Sequence, residues 1–405
     1  MRFTQYSLPL AIVLAAQALP QVLAEGMNAT WSVGKANVAV IENQRLYISG
    51  GVQYDPLPRH DPSPRFARQL ISLDLSTAWT SDAPAFTNHT FDLIPEEFST
   101  DAMVLTKDRS SLLFFYDTLM YKYDVKTNEW AKGLVKNWTY PAFAEGAVTD
   151  TDTGLIYGIQ NPNEEPPADP AAPIKWKFTE YNPTTDTINS AEFEGVIELR
   201  DQRIMVYSRT AKTIFSYENA YQPEDAAFVA YDVKAKKWSA VKATGDIPPF
   251  RRTPCFASAY GGKKLILAGG QSYDGTVILD DVFMFDVATL AWSKLANAPR
   301  PSYGAVCAAS SDSFIYWGGL RFVGNESDIV NVEEGPVILN LASNTWGTSY
   351  KPSDKPQDPA NVDSGSGSGS GSGSDSSVNR AYMALTKFEL VVWSVMAIVA
   401  SSLTL

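Results

Sequence analysis

Short apolar and aromatic runs recur along the chain, each bounded by Gly, Asp, Asn or Ser. The clearest pair lies in residues 265–292, where LILAGG is followed by the polar stretch QSYDGTVILD and then by DVFMFDVATLAW. Neither apolar run has the 3.6-residue period of an amphipathic helix. Both are short, partly β-branched or aromatic, and flanked by turn formers, which predicts buried strands. The paired glycine Gly269-Gly270 at a strand end permits positive φ and close backbone approach. Phe285 and Trp292 are large enough to fill the space between stacked sheets.

The same arrangement returns at intervals. An Asp or Asn followed by Trp occurs at Asp74/Trp79, Asp124/Trp130, Asp232/Trp238, Asp286/Trp292 and Asn340/Trp346. Fifty-four residues separate Trp238 from Trp292 and Trp292 from Trp346, and 51 separate Trp79 from Trp130. The 108 residues between Trp130 and Trp238 leave room for one more copy, in which Tyr181-Asn182-Pro183 replaces the aromatic-Asp pair and Ile188 replaces Trp. Six copies result. Double glycines stand at Gly50-Gly51, Gly269-Gly270 and Gly318-Gly319; their expected counterparts are Phe115-Tyr116, Gly158-Ile159 and Tyr207-Ser208.

With double glycine, aromatic-Asp and spaced Trp, the chain resembles the Kelch-repeat family over roughly residues 31–350, in a secreted, surface-anchored form of fungal type. A period near 50 residues is that of Kelch repeats. The resemblance implies an all-β fold, a six-bladed Kelch-type β-propeller of four-stranded antiparallel blades around a central channel. One blade cannot bury both of its faces, whereas a ring of them can. The alternative is an array of β-sandwiches with an accidental aromatic period. The expected organisation is a signal peptide over residues 1–24, the propeller over 25–350, a Pro/Gly/Ser linker over 351–377 and an apolar tail over 378–405.

The start of the chain carries Arg2, an apolar stretch from Leu8 to Leu19, and small residues before Glu25, the layout of a secretory signal. Asn28, Asn88, Asn137 and Asn325 head glycosylation sequons, which fits that route. After Tyr350 the Gly-Ser repeat of residues 364–374 reads as a flexible tether. Residues 390–405 are mostly apolar and lie downstream of a small-residue cluster. This matches a glycosylphosphatidylinositol-attachment signal, with Ser376, or else Ser374, Asp375, Ser377 or Asn379, as the lipid-bearing residue. A transmembrane helix over residues 388–405 is the alternative.

Hairpin turns alternate between the two faces of a four-stranded blade, so the loop after the second strand shares a face with the crossing to the next blade. The long insertions at 52–68, 161–173, 210–224 and 320–334 are expected to collect there. Arg251, Arg252 and Arg300 occupy Pro-rich crossings into the fifth and sixth repeats, and Tyr54, Arg65, Tyr221, Arg321 and Phe322 lie in the insertions. Arginine and aromatic side chains carry binding hot spots, which makes these eight the ligand-binding candidates. The competing reading has the crossing arginines bonded to carbonyls and holding blades together.

A formal net charge of −12 argues against nucleic-acid binding. The two cysteines, Cys255 and Cys307, fall in neighbouring blades, either disulfide-bonded across adjacent inner strands or as buried thiols. Their offsets to the next double glycine, 14 and 11 residues, suggest different heights. Galactose-oxidase-like copper enzymes use a similar propeller, but their site needs two histidines and two tyrosines. This chain has His60 and His89, both expected in outer loops of the first repeat. Glu96-Glu97 and Glu333-Glu334 read as solvated loop acids. No catalytic residue, metal or cofactor is expected. The expected function is non-enzymatic binding or adhesion at the outer cell surface, to an extracellular protein or cell-wall polysaccharide, with membrane attachment through the tail. A copper-type oxidoreductase and a passive wall or spacer protein are the alternatives.

Overall fold

The computed structural model describes residues 37–41, 44–53, 65–67, 69–89, 102–116, 119–134, 146–160, 177–192, 203–218, 228–323 and 328–352. The chain forms an all-β, six-bladed β-propeller. Blade one comprises Asn37–Ile41, Arg45–Ser49, Leu70–Asp74 and Phe86–Asn88; blade two Met103–Leu105, Ser111–Tyr116, Leu119–Asp124 and Glu129–Leu134. Blade three is Ala147–Thr149, Ile156–Gln160, Lys177–Asn182 and Thr187–Glu192; blade four Arg203–Ser208, Thr213–Glu218, Phe228–Asp232 and Lys237–Ala240. Blade five is Cys255–Ala259, Lys264–Ala268, Val282–Asp286 and Ala291–Lys294; blade six Val306–Ser310, Ser313–Trp317, Val337–Asn340 and Thr345–Gly347. These strands pair antiparallel in chain order, and Thr244–Gly245 adds a parallel fifth strand to blade five. Each blade's first strand abuts those of its two neighbours, and Asn37–Ile41 abuts Val306–Ser310, so the ring is closed.

The Asp and the Trp of the repeat have separable jobs. Asp286 Oδ1 accepts from the backbone N–H groups of Ala288 and Thr289 (2.8 and 3.1 Å), and Leu290 then takes φ 55°. Asp124, Asn182 and Asn340 cap their turns in the same way. A capped four-residue loop ending in a left-handed residue returns the chain as the fourth strand. That sets the spacing, and it places Trp292 opposite Phe285.

Among the described residues the packed interior forms six clusters, one per seam between blades. Trp130 packs in the seam of blades one and two, Ile188 in that of two and three, and Trp238 in that of three and four. Trp292, Trp346 and Trp79 fill the seams four–five, five–six and six–one. Every repeat position expected to act as a wedge, including the degenerate Ile188, lies between two sheets.

Three expectations on register need correction. In blade one the fourth strand is Phe86–Asn88, with Phe86 opposite Leu73; Trp79 sits instead in the two-residue strand Trp79–Thr80, which pairs with Ser349–Tyr350. An insertion after the Asp74 turn displaces the outer strand. In blade four RIMVYS is the first strand and not the second, because TIFSYE forms a further strand within the stretch read as a loop. Aligned on the capping Asp or Asn, the place of the first glycine falls at Tyr116, Gln160 and Glu218, not at Phe115, Gly158 and Tyr207.

Where the glycines are present their cause is visible. Gly269 and Gly270 have φ of 60° and 100°. A Cβ on Gly269 would collide with the Tyr316 hydroxyl and the Ser302 carbonyl, and one on Gly270 with the Arg252 carbonyl. The second strand thus leaves blade five pressed against two crossing segments.

Candidate functional site

The two rims of the ring are built differently. On one rim the hairpins joining first and second strands bond to one another. Thr149 Oγ1 donates to Leu105 O (2.7 Å), Asp152 pairs with Lys212 and Arg209, and Ser208 Oγ donates to Gly262 O (2.6 Å). Tyr260 Oη then donates to Asp312 Oδ1 at 2.9 Å. These short turns are held blade to blade and offer few projecting arms.

On the opposite rim the described parts of the insertions at 52–68 and 320–334, with one crossing, form two-stranded ribbons. Residues 161–173 lie outside the described residues, and the expected insertion at 210–224 instead begins in a hairpin of the first rim and continues as the strand Thr213–Glu218. Val52–Gln53 pairs with Arg65–Phe66, Arg251–Arg252 with Gln271–Ser272, and Leu320–Val323 with Asp328–Asn331. The second of these joins a crossing segment directly to the loop after a second strand. Tyr303, on the next crossing, exchanges backbone bonds with Leu320 (3.1 and 2.9 Å). Crossings and insertions therefore meet on one face in blades five and six.

Arg251 does not serve this face as a ligand-binding residue, and that expectation is corrected. Its side chain is fully buried. Nε donates to Pro249 O (3.1 Å), Nη1 to Gly269 O (3.0 Å) and to Asp281 Oδ1, and Nη2 to Asp281 Oδ2 (3.1 Å). The guanidinium carbon lies 5.2 Å from the Phe283 ring centroid. Arg251 ties the crossing to the second and third strands of blade five, with all of its reach spent internally.

Arg252 points the other way, since neighbours on a strand face opposite sides. Its guanidinium stands 5.6 Å from the centroid of Tyr273, and Phe250 meets the same ring edge to face at 5.7 Å and 82°. In blade six, Arg300 and Arg321 both approach Glu334, each with an N···O distance of 3.4 Å, and Arg300 also donates to Gly335 O. Burial draws the Arg300 pKa down, against the pull of Glu334. Glu333 and Glu334 are exposed loop acids, as expected. The Phe322 ring lies 6.1 Å from that of Tyr303.

Arg65 is placed by its backbone in the first ribbon. Tyr54, Tyr221, Asn28, Asn137, Asn325, His60, Glu96 and Glu97 lie outside the described residues, as do the signal segment, the lipid-attachment cluster and the tail. Asn88 is exposed on the outermost strand of blade one. His89, expected in an outer loop, instead turns into the seam of blades one and two. One ring nitrogen bonds Ser72 Oγ and the other Tyr123 Oη, both at 2.8 Å. Burial, then the nearby Arg45 charge, lowers its pKa to about 4.

Cys255 and Cys307 form a disulfide with Cα atoms 5.9 Å apart, joining the innermost strands of blades five and six. Their unequal offsets mislead about height. Cys255 pairs with Ala268, one residue before the glycines, and Cys307 with Tyr316, two residues before. Much of the difference is turn length, residues 260–263 against 311–312. The exposed aromatic that sequence reasoning missed on this rim is Tyr273. The insertion holding it was read as a linker between strands, although QSYDG carries an aromatic beside turn formers.

Residues 176–368 match the model of the KLHDC2/KLHL20/DRC7 Kelch-repeats domain, so that stretch of the propeller is similar to Kelch repeats. Among curated proteins, the N-(sulfonatooxy)prop-2-enimidothioate sulfolyase of Thlaspi arvense is 36% identical over 80 residues, 18% of this chain. The match spans 23% of that relative's length. Among solved structures, one titled "Structure of YjhT" aligns at a TM-score of 0.41 and 18% identity, over 55% of this chain and 74% of that one.

Proposed function

We propose that this chain is a non-enzymatic binding module of the outer cell surface, which engages a protein or polysaccharide through the insertion-bearing face. The observation that carries the reading is the asymmetry of the rims. One rim is closed by short hairpins bonded to each other, while the other presents paired arms that bring arginine and aromatic side chains together. A scaffold hosts many functions, so the reading rests on this face and not on the fold. Secretion and anchoring are supported by the signal-like start, the four sequons, the Gly-Ser tether and the apolar tail. A disulfide between two blades fits an oxidising compartment. The tether would lift the face away from the membrane.

The test is retention of the full chain on a panel of cell-wall polysaccharides and surface proteins. Saturable retention on one ligand supports the module. Absence of retention on every ligand, together with turnover of a sugar alcohol, supports the oxidoreductase reading instead. Release from intact cells by phosphatidylinositol-specific phospholipase C tests the lipid anchor against a transmembrane tail.

The likeness to a sulfolyase motivates a second reading, a lyase on the same scaffold. Release of sulfate from N-(sulfonatooxy)prop-2-enimidothioate by the purified chain would favour it over the binding module.

A further inference from the structure

We infer, resting on the binding function proposed above, that Tyr273 is the stacking platform for a hexopyranose ring of a neutral polysaccharide.

Three observations converge on it. The first is exposure. Among the described residues the exposed large hydrophobics are Ile247, Tyr273 and Val277, at 62%, 40% and 52%. All three belong to one sector. Ile247 lies on the crossing that leads to Phe250 and Arg252, while Tyr273 and Val277 lie on the hairpin whose base pairs with that crossing.

The second observation is rigidity. Ser272 N donates to Val277 O (2.7 Å), Gly275 N to Ser272 O (2.9 Å) and Val277 N to Ser272 Oγ (2.9 Å). Ser272 Oγ donates to Asp274 Oδ1 (2.6 Å), Thr276 N bonds the same oxygen (3.1 Å), and Gln271 Nε2 donates to Gly275 O (2.8 Å). Phe250 meets the ring at 82°, and Arg252 stands over it 5.6 Å from the centroid. A platform held this way loses little freedom when a ligand settles on it.

The third observation selects the ligand. Among the described residues this sector offers three exposed apolar side chains, short of the roughly 800 Å² per partner of a stable protein interface. A pyranose needs less: one aromatic face for its C–H groups and polar neighbours for its hydroxyls. Arg252, over the ring, and the exposed Asp274, next in the chain, supply such neighbours. A net charge of −12, with Asp274 on the hairpin itself, disfavours a polyanion and leaves a neutral polymer.

The experiment measures retention of the full chain and its Tyr273→Ala and Tyr273→Phe variants. The matrices are β-1,3-glucan, cellulose, chitin and α-mannan, beside polygalacturonate and surface proteins. The expected result is binding to at least one neutral polymer that Tyr273→Ala weakens about tenfold or more and Tyr273→Phe leaves within about twofold, with unfolding temperatures unchanged. Neutral-polymer binding that Tyr273→Ala does not weaken would overturn the platform while leaving the binding module in place. Retention only on polygalacturonate or on protein would overturn the ligand class. No retention on any matrix would overturn both the platform and the module.

Discussion

Tyr350 lies face to face with Trp79, ring centroids 5.0 Å apart and planes 14° apart. The Tyr350 hydroxyl donates to Leu75 O at 3.1 Å, across 275 residues of sequence. Beside this stack, Ser81 N donates to Thr348 O at 2.7 Å. The segment leaving blade six thus clasps the blade that began the ring. Earlier junctions have the same design: Asp246 N bonds Trp292 O (2.9 Å), and Trp346 Nε1 donates to Ala296 O (3.0 Å). Closure is one more seam of the series, made by the segment that leaves blade six.

Tyr350→Ala removes both the stack and the hydroxyl bond from a fully buried site. It should cost about 3–5 kcal/mol of unfolding free energy, as large-to-small aromatic truncations do. Tyr350→Phe keeps the ring and should cost about 1 kcal/mol. Urea titration of the two variants separates the contributions.

Arg251 and Arg252 are adjacent, yet they should behave oppositely. Arg251→Met strands Asp281, whose side chain is 14% exposed, and should destabilise by about 3–5 kcal/mol. Arg252→Ala should change stability by about 0.5 kcal/mol or less, as surface substitutions do. Thermal unfolding of the two variants, side by side, is the check.

His89 makes the seam of blades one and two sensitive to acid. Its folded-state pKa of about 4 lies below the ordinary 6.5, so the unfolded chain takes up the proton first. The stabilisation is fully present above pH 6.5 and is lost as pH falls from 6.5 towards 4. The groups facing the ring are Arg45, Tyr47, Ser72 and Tyr123. A loss on the order of 1–3 kcal/mol is expected across that window. His89→Gln should flatten the dependence of unfolding free energy on pH, measured by urea denaturation between pH 4 and 7.

The Cys255–Cys307 disulfide closes a loop between residues 52 apart in sequence. By the chain-entropy relation it should stabilise by about 4 kcal/mol. Reduction with dithiothreitol, or the double substitution Cys255→Ala/Cys307→Ala, should lower the unfolding temperature. No change on reduction would show that blades five and six are held without it.

Much of the ring was legible because one pattern had to serve six seams. The interval from Asp286 to Trp292 encodes a capped turn and a cross-strand contact together, so it survives even where Ile188 replaces the indole. The glycine pair is weaker evidence, because it answers to local crowding. In blades two, three and four its register was misread by one or more residues. Trp79 packs between blades but outside the fourth strand of blade one, because an insertion after Asp74 is silent in a spacing of five. The insertion-bearing face proposed for binding was legible as a location only. Arg251-Arg252 reads as one basic pair, and nothing in the sequence says that one guanidinium is spent inside blade five while its neighbour faces Tyr273. Ligand identity is a property of how few side chains meet, and spacing does not carry it.

The central claim is a closed ring, and its most direct test is a covalent one. Thr80 and Ser349 are paired across the closing seam. With Thr80→Cys and Ser349→Cys introduced together, the closed ring predicts a disulfide under mild oxidation, linking the two peptides in a non-reducing digest read by mass spectrometry. Free thiols at both positions in the folded protein, with no linked peptide, would contradict it.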